Sequence, residues 1–229
     1  EQEFIRQRKE DLVNNPTPRI AVALCLDNSG SMEGEPIAEL NEGIRVFYDA
    51  ILSDEVTRYS VEVCTVSFDY EAVLVQDFCA IDRQEIPVLT ARWGGTHMGE
   101  GVNKALDMLE RRKKEYQETG VDYYQPWLVL MTDGEPCGED TRITQDAMRR
   151  ATDLVNNRKL TIFPIGIGAE ANRETLRGFS PKTAPMRLQG LKFKEFFAWL
   201  GEVSQVALGS LPGDSVKTPE PTTWGSLES

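Results

Sequence analysis

The chain alternates short apolar runs with longer amphipathic stretches, and that alternation predicts most of its elements. Ile20-Ala21-Val22-Ala23-Leu24-Cys25-Leu26 is apolar throughout, the pattern of a strand buried on both faces of a parallel sheet. Gly34-Glu35-Pro36 then opens a helix, since Pro36 suits a first turn where its missing N–H costs nothing. Ile37, Leu40, Ile44, Phe47 and Ile51 fall on one face of it. Val61–Phe68 and Ala72–Phe78 read as a hairpin around Asp69-Tyr70-Glu71. Met98, Val102, Ala105, Leu106 and Leu109 mark a second helix. It fades into Arg111-Arg112-Lys113-Lys114, cations that a helix C-terminus favours. Trp127–Thr132 is a central strand, and Ile143, Ala147, Met148, Ala151 and Leu154 form the inward stripe of the next helix. The fifth strand, Leu160–Ile167, carries Pro164, which cannot donate to a ladder and points to a sheet edge or a bulge. A short helix over Glu170–Phe179, a short strand at Met186–Leu188 and a helix built on Phe193, Phe196, Phe197, Leu200 and Val203 complete the pattern.

Strands that alternate with helices, apart from one hairpin, predict an α/β fold. The expected architecture is Rossmann-like and doubly wound: a mainly parallel central sheet with one antiparallel edge strand and helices on both faces. Residues 1–18 read as a charged arm with room for a short helix over Phe4 to Val13. It is closed off by Pro16 and Pro18. Residues 19–208 form the domain, and 209–229, rich in Pro, Gly, Ser and Thr, read as a flexible tail.

In such sheets ligands bind outside the carboxyl ends of the strands, where the strand order reverses. Three polar loops are expected to meet there. The first strand runs into Asp27-Asn28-Ser29-Gly30-Ser31, which sets one carboxylate and two hydroxyls at alternate positions. Thr96 follows Gly94-Gly95, a pair expected to permit a backbone conformation closed to other residues. Asp133 ends the fourth strand. Oxygen-only donors suit a hard divalent cation: Mg²⁺, or Mn²⁺ or Ca²⁺. Singly, Asp27, Ser29 and Asp133 would each read as a helix or turn cap. Jointly, with Thr96, they read as a metal site. Asn28, His97 and Glu135 are expected at its rim, with Asn28 pointing away from the ion.

Composition narrows the partners. Of 229 residues 37 are acidic and 25 basic, a formal net charge of −12, which excludes the basic face of a nucleic-acid binder and opposes an anionic membrane surface. No apolar run is long enough to span a membrane. Cys25, Cys64, Cys79 and Cys137 form no CxxC pair, and three lie in or near core strands. Reduced thiols and a cytoplasmic setting follow as the expectation.

Asp27-x-Ser29-x-Ser31, Thr96 after two glycines, and Asp133 after an apolar strand resemble, in that order, the metal-ion-dependent adhesion site (MIDAS) of von Willebrand factor A domains. The resemblance covers roughly residues 19–207. Met32–Ile37, Thr132–Pro136, Phe163–Gly168 and Phe196–Leu200 further resemble the bacterial TerY-like branch linked to tellurium resistance. The resemblance implies Ser29 and Ser31 as direct ligands and Asp27 and Asp133 often acting through water. Thr96 would join or leave as the site opens or closes, and a partner protein would supply an Asp or Glu to the ion.

The chain is therefore expected to be a binding module rather than an enzyme. A strand-end aspartate used for phosphoryl transfer would want a second carboxylate where Ser29 stands, and there is no P-loop lysine. His97, the only histidine, has no triad assembled around it. Gly166-x-Gly168-x-x-Ala171 mimics a dinucleotide fingerprint but places Glu170 where a pyrophosphate would approach, and the acidic residue expected further on is missing. A scaffold that keeps the motif without using an ion remains the other alternative.

Overall fold

The computed structural model describes residues 6, 10–15, 17–168, 171–188, 192–209 and 225–227. The strands are β1 (Ile20–Asp27), β2 (Val61–Phe68), β3 (Ala72–Gln76), β4 (Trp127–Thr132), β5 (Thr161–Ile167), β6 (Met186–Leu188) and β7 (Gly225–Leu227). The helices are α1 (Glu35–Ser53), α2 (Glu55–Ser60), α3 (Met98–Thr119), α4 (Thr141–Asn156), α5 (Arg173–Phe179) and α6 (Phe193–Leu208). One sheet runs in the order β3-β2-β1-β4-β5-β6-β7. The β1–β2, β1–β4, β4–β5 and β5–β6 pairs are parallel. β3 is the antiparallel edge strand of the predicted hairpin.

β1 and β4 alternate between two cores. Ile20, Val22, Leu24 and Leu26 of β1 join Trp127, Val129 and Met131 of β4 on the face covered by α1 and α6. Ala21, Ala23 and Cys25 join Leu128 and Leu130 on the face covered by α3, α4 and α5. Both faces are covered, which is why β1 reads as a continuous apolar run. Chain order leaves β1 leftward to β2 and returns rightward to β4. The reversal therefore lies between the carboxyl ends of β1 and β4, where Asp27 and Asp133 stand.

Pro164 sits in β5 opposite Leu130 of β4, while pairing to β6 starts only at Ile165. The proline therefore occupies the half of β5 that borders no further strand, so no ladder bond on that side is lost.

Several expectations need correction. β3 stops at Gln76, two residues short of Phe78. α2 was not predicted. It is six residues long, capped by Asp54 accepting from the Thr57 amide, and leaves Val56 and Tyr59 exposed, so it carries no apolar stripe. α3 does not fade at residues 111–114 but continues to Thr119, where Gly120 ends it with φ 71°. Arg112 is accordingly not a terminal cation. It is buried and fork-bonded to Glu62 at 2.7 Å on each oxygen, with Glu115 at 2.6 Å. Arg19 reaches the same Glu62 at 3.3 Å, tying the start of β1 to β2 and α3.

In the arm, residues 10–14 are helical and Leu12 is fully buried in the core. The expected helix start at Phe4, and Glu170 with its part in the fingerprint argument, lie outside the described residues. Of the tail, Gly225–Leu227 pairs antiparallel with β6 and adds a second antiparallel edge, while residues 210–224 and 228–229 lie outside the described residues. All four cysteines are free, with Cys25, Cys64 and Cys79 buried and Cys137 exposed. No helix among the described residues is long and apolar enough to cross a membrane.

Candidate metal centre

The chain leaves β1 at Asp27 and turns at once. Asp27 Oδ1 accepts from the Ser29 amide at 2.8 Å, folding the loop back over its own carboxylate. Oδ2 accepts from the Thr132 hydroxyl at 2.6 Å, which links the ends of β1 and β4. Gly30–Met32 then forms a single 3₁₀ turn whose N-cap, Ser29, makes no side-chain cap bond. The serine hydroxyls are therefore not consumed as caps. Ser29 Oγ lies 3.1 Å from Ser31 Oγ, and Ser31 Oγ donates to Asp133 Oδ1 at 2.9 Å. Nor does Asp133 cap a helix, because Asp140 caps α4. Ser29, Ser31 and Asp133 thus form one connected set of side-chain oxygens spanning two loops, with Asp27 joined to it through the Ser29 amide.

Thr96 is brought to the same end by its backbone. Its amide donates to the Cys137 carbonyl at 2.7 Å and its carbonyl accepts from the Cys137 amide at 3.1 Å, a two-bond bridge to the loop after β4. The glycines before it are needed for space rather than for backbone conformation, since neither has a positive φ. A Cβ on Gly95 would lie 2.4 Å from the Cys137 carbonyl oxygen, and one on Gly94 2.7 Å from Tyr70 Cβ.

The expected rim is only partly a rim. Asn28 is 4% exposed and its side-chain amide donates to Thr90 O at 3.0 Å. His97 is 9% exposed at the start of α3, its ring 5.4 Å from that of Tyr70. Both are buried, Asn28 tied to Thr90 and Arg92 and His97 packed on Tyr70. Glu135 is exposed, as expected, and accepts a hydrogen bond from Asn172, the N-cap residue of α5.

Other residues of the site carried no sequence signal. Glu139 accepts from the Gly99 and Glu100 amides at 2.7 and 3.1 Å, and from the Thr144 hydroxyl at 2.9 Å. It caps α3 from another loop and so fixes the Thr96 segment against the Asp133 segment. Such a cap comes from forty residues away and leaves no local pattern. Thr132 could have been noticed as the one polar residue closing an apolar strand.

The donor set fits a hard divalent cation: carboxylate and hydroxyl oxygens only, with charge from two aspartates. In the absence of metal, burial pushes the Asp27 carboxyl up to about 6, against the lowering effect of its bonds to Thr132 and Ser29. A nearby cation would favour its charged form.

A mainly parallel doubly wound sheet with this oxygen set at its reversal point defines a class of α/β domain. The chain belongs to the von Willebrand factor type A domain family, whose signature matches residues 21–195. It is 31% identical over 124 residues, 52% of its length, to the minor fimbrium subunit Mfa5 of Porphyromonas gingivalis, of which it spans 9%. It is 28% identical over 170 residues, 71% of its length, to a protein of Synechocystis sp., of which it spans 36%. Among solved structures, the von Willebrand factor domain of the type V pili tip protein Mfa5 superposes with TM-score 0.58 at 17% identity, covering 87% of this chain and 99% of that one. A von Willebrand factor type A protein from Catenulispora acidiphila gives TM-score 0.62 at 17% identity, with coverage of 83% and 43%. The pilus adhesin SpaC from Lactobacillus rhamnosus GG gives 0.64 at 14%, with coverage of 83% and 31%. At these identities the structures speak for the fold alone.

Proposed function

We propose that the domain is a divalent-metal-dependent protein-docking module. Asp27, Ser29, Ser31, Thr96 and Asp133 would hold Mg²⁺, with Mn²⁺ or Ca²⁺ as substitutes. An Asp or Glu of a partner protein would complete the ion's shell. The observation that carries this reading is the connected oxygen set at the switch point, Ser29–Ser31–Asp133 with Asp27 beneath. Hydroxyl-rich sites leave the ion under-neutralised, so an added carboxylate is favoured there. The adhesin role in the name of the SpaC pilus protein belongs to that protein and reaches this chain only as part of the proposal.

The module is read as non-enzymatic because Asp27 is committed to Thr132 and the Ser29 amide, and His97 stands buried against Tyr70 rather than beside a hydroxyl nucleophile. The cytoplasmic setting and a place in a bacterial stress-response or tellurium-resistance assembly belong to the same proposal. They rest on the four free cysteines and on the TerY-like segments. Calorimetric titration with Mg²⁺ and Mn²⁺ tests the site, with saturable binding expected for the wild type and none for Asp27→Ala. Binding that survives in Asp27→Ala and in the Ser29→Ala/Ser31→Ala double variant would overturn it. A deletion strain as tellurite-resistant as its parent would remove the stress-response setting and leave the docking site standing.

A further inference from the structure

Trp93 is 82% exposed, the most exposed large apolar side chain among the described residues. Its loop is nonetheless pinned. The Arg92 amide donates to Asn28 O at 2.8 Å, the Asn28 side chain donates to Thr90 O at 3.0 Å, and the His97 amide donates to Asp69 O at 2.8 Å. The indole lies over Gly30, between the two serines of the metal loop: a Cβ there would come 3.2 Å from Trp93 Cε3. Next to it, Gly94 packs on Tyr70, which is itself 68% exposed. One outward aromatic face, that of Trp93, therefore borders the Ser29–Ser31 turn, and exposed Tyr70 stands behind it against Gly94 and the His97 ring. Exposed, rigidly held Trp and Tyr are the side chains that most often anchor a protein interface.

The surroundings are acidic. Glu33 and Glu35 follow the metal loop, both exposed. The cation next to Trp93 is already engaged, Arg92 reaching Asp69 at 3.2 Å and Glu71 at 3.5 Å. A partner's carboxylate approaching the ion therefore meets a negative rim on a chain of net charge −12, and a cation travelling beside it offsets that rim. The indole face is the strongest aromatic acceptor for such a cation.

We propose that Trp93, with Glu33, is the specificity surface of the site, and that it recognises a partner segment in which the metal-binding Asp or Glu is flanked by arginine or lysine. The inference rests on the metal-dependent docking reading above and adds the chemistry of the neighbouring side chain.

A displayed peptide library with a fixed central Asp and randomised flanks, selected on the whole chain in Mg²⁺, tests it. The expected result is recovery that requires Mg²⁺ and the central Asp, with Arg and Lys enriched about 2- to 5-fold at a flanking position, the range of an exposed cation–π contact. Selection on Trp93→Ala should keep the Asp requirement and lose the basic preference, and selection on Glu33→Lys should turn that preference acidic. Asp- and Mg²⁺-dependent recovery with neutral or apolar flanks overturns this inference and leaves the docking reading intact. The same basic preference on Trp93→Ala overturns the role of the indole. Recovery independent of both Mg²⁺ and Asp overturns the docking reading and this inference with it.

Discussion

Asp27→Asn should make the metal-free protein more stable at neutral pH while destroying its response to metal. The wild-type carboxyl is fully buried and its proton affinity is raised from 3.8 to about 6. Between those values the folded state holds a proton that the unfolded state has released, so stability falls as pH rises through the window. Below 3.8 both states are protonated and no cost arises; above about 6 the full cost is present. At about 1.4 kcal/mol per factor of ten, the loss approaches 3 kcal/mol. Asparagine never ionises and escapes that loss. Its side-chain oxygen can still accept from the Ser29 amide. Its NH₂ can donate to the Thr132 hydroxyl, which then turns to Gly134 O, already 3.4 Å away. For a domain of this size about 3 kcal/mol corresponds to a rise of roughly 6–12 °C in Tm. Thermal unfolding in EDTA should therefore separate the two proteins at pH 7.5 and bring them together near pH 4. Added Mg²⁺ at a hundred times its Kd should return about 2.7 kcal/mol to the wild type and nothing to the variant. A variant less stable than wild type in EDTA at pH 7.5, or one that Mg²⁺ stabilises equally, would refute the reasoning.

Three further perturbations probe the supports of the site and the core. Gly95→Ala places a methyl against the Cys137 carbonyl and should break the Thr96–Cys137 bridge, costing about 1–3 kcal/mol in urea unfolding and weakening Mg²⁺ binding measured by calorimetry. Glu139→Ala removes the cap of α3 and should cost about 0.5–2 kcal/mol, with Mg²⁺ affinity falling although no proposed ligand is touched. Burial alone would raise the Glu62 carboxyl, but Arg112, Tyr116 and Arg19 outweigh it and hold it below its ordinary value. Its stabilisation is therefore present at neutral pH and is lost as pH falls below about 4.5. Glu62→Gln leaves two buried guanidiniums without their shared charge and should cost about 3–5 kcal/mol at pH 7, a loss that shrinks on acidification.

The alternation of apolar runs made the sheet and its main helices legible, because strands covered on both faces are mostly apolar, with a buried exception such as Glu62 in β2 that needs the charged partners the fold supplies. The two aspartates and two serines were legible for a different reason: polar side chains at strand ends stand out against those runs. What could not be read is what joins distant segments. Arg112 looked like a helix-end cation because its partner Glu62 lies fifty residues away, on another element. Glu139 and Cys137 hold the Thr96 loop from across the site, one by its side chain and the other by its backbone. Gly94 and Gly95 signalled an unusual backbone, yet their reason is crowding by Tyr70 and Cys137, which only the packed structure reveals. α2 escaped notice because six residues with an outward Val56 and Tyr59 carry no period.

The position of Trp93 also gives the molecule a built-in gauge. Of the other three tryptophans, Trp127 and Trp199 sit in the core at 5% and 7% exposure and Trp224 lies outside the described residues. Trp93 rests on the glycine that joins the two serines, so a shift of a few tenths of an ångström in that turn changes what lies beneath a solvent-facing fluorophore. With Trp127, Trp199 and Trp224 replaced by Phe, the emission of the remaining indole would report on that turn without a label.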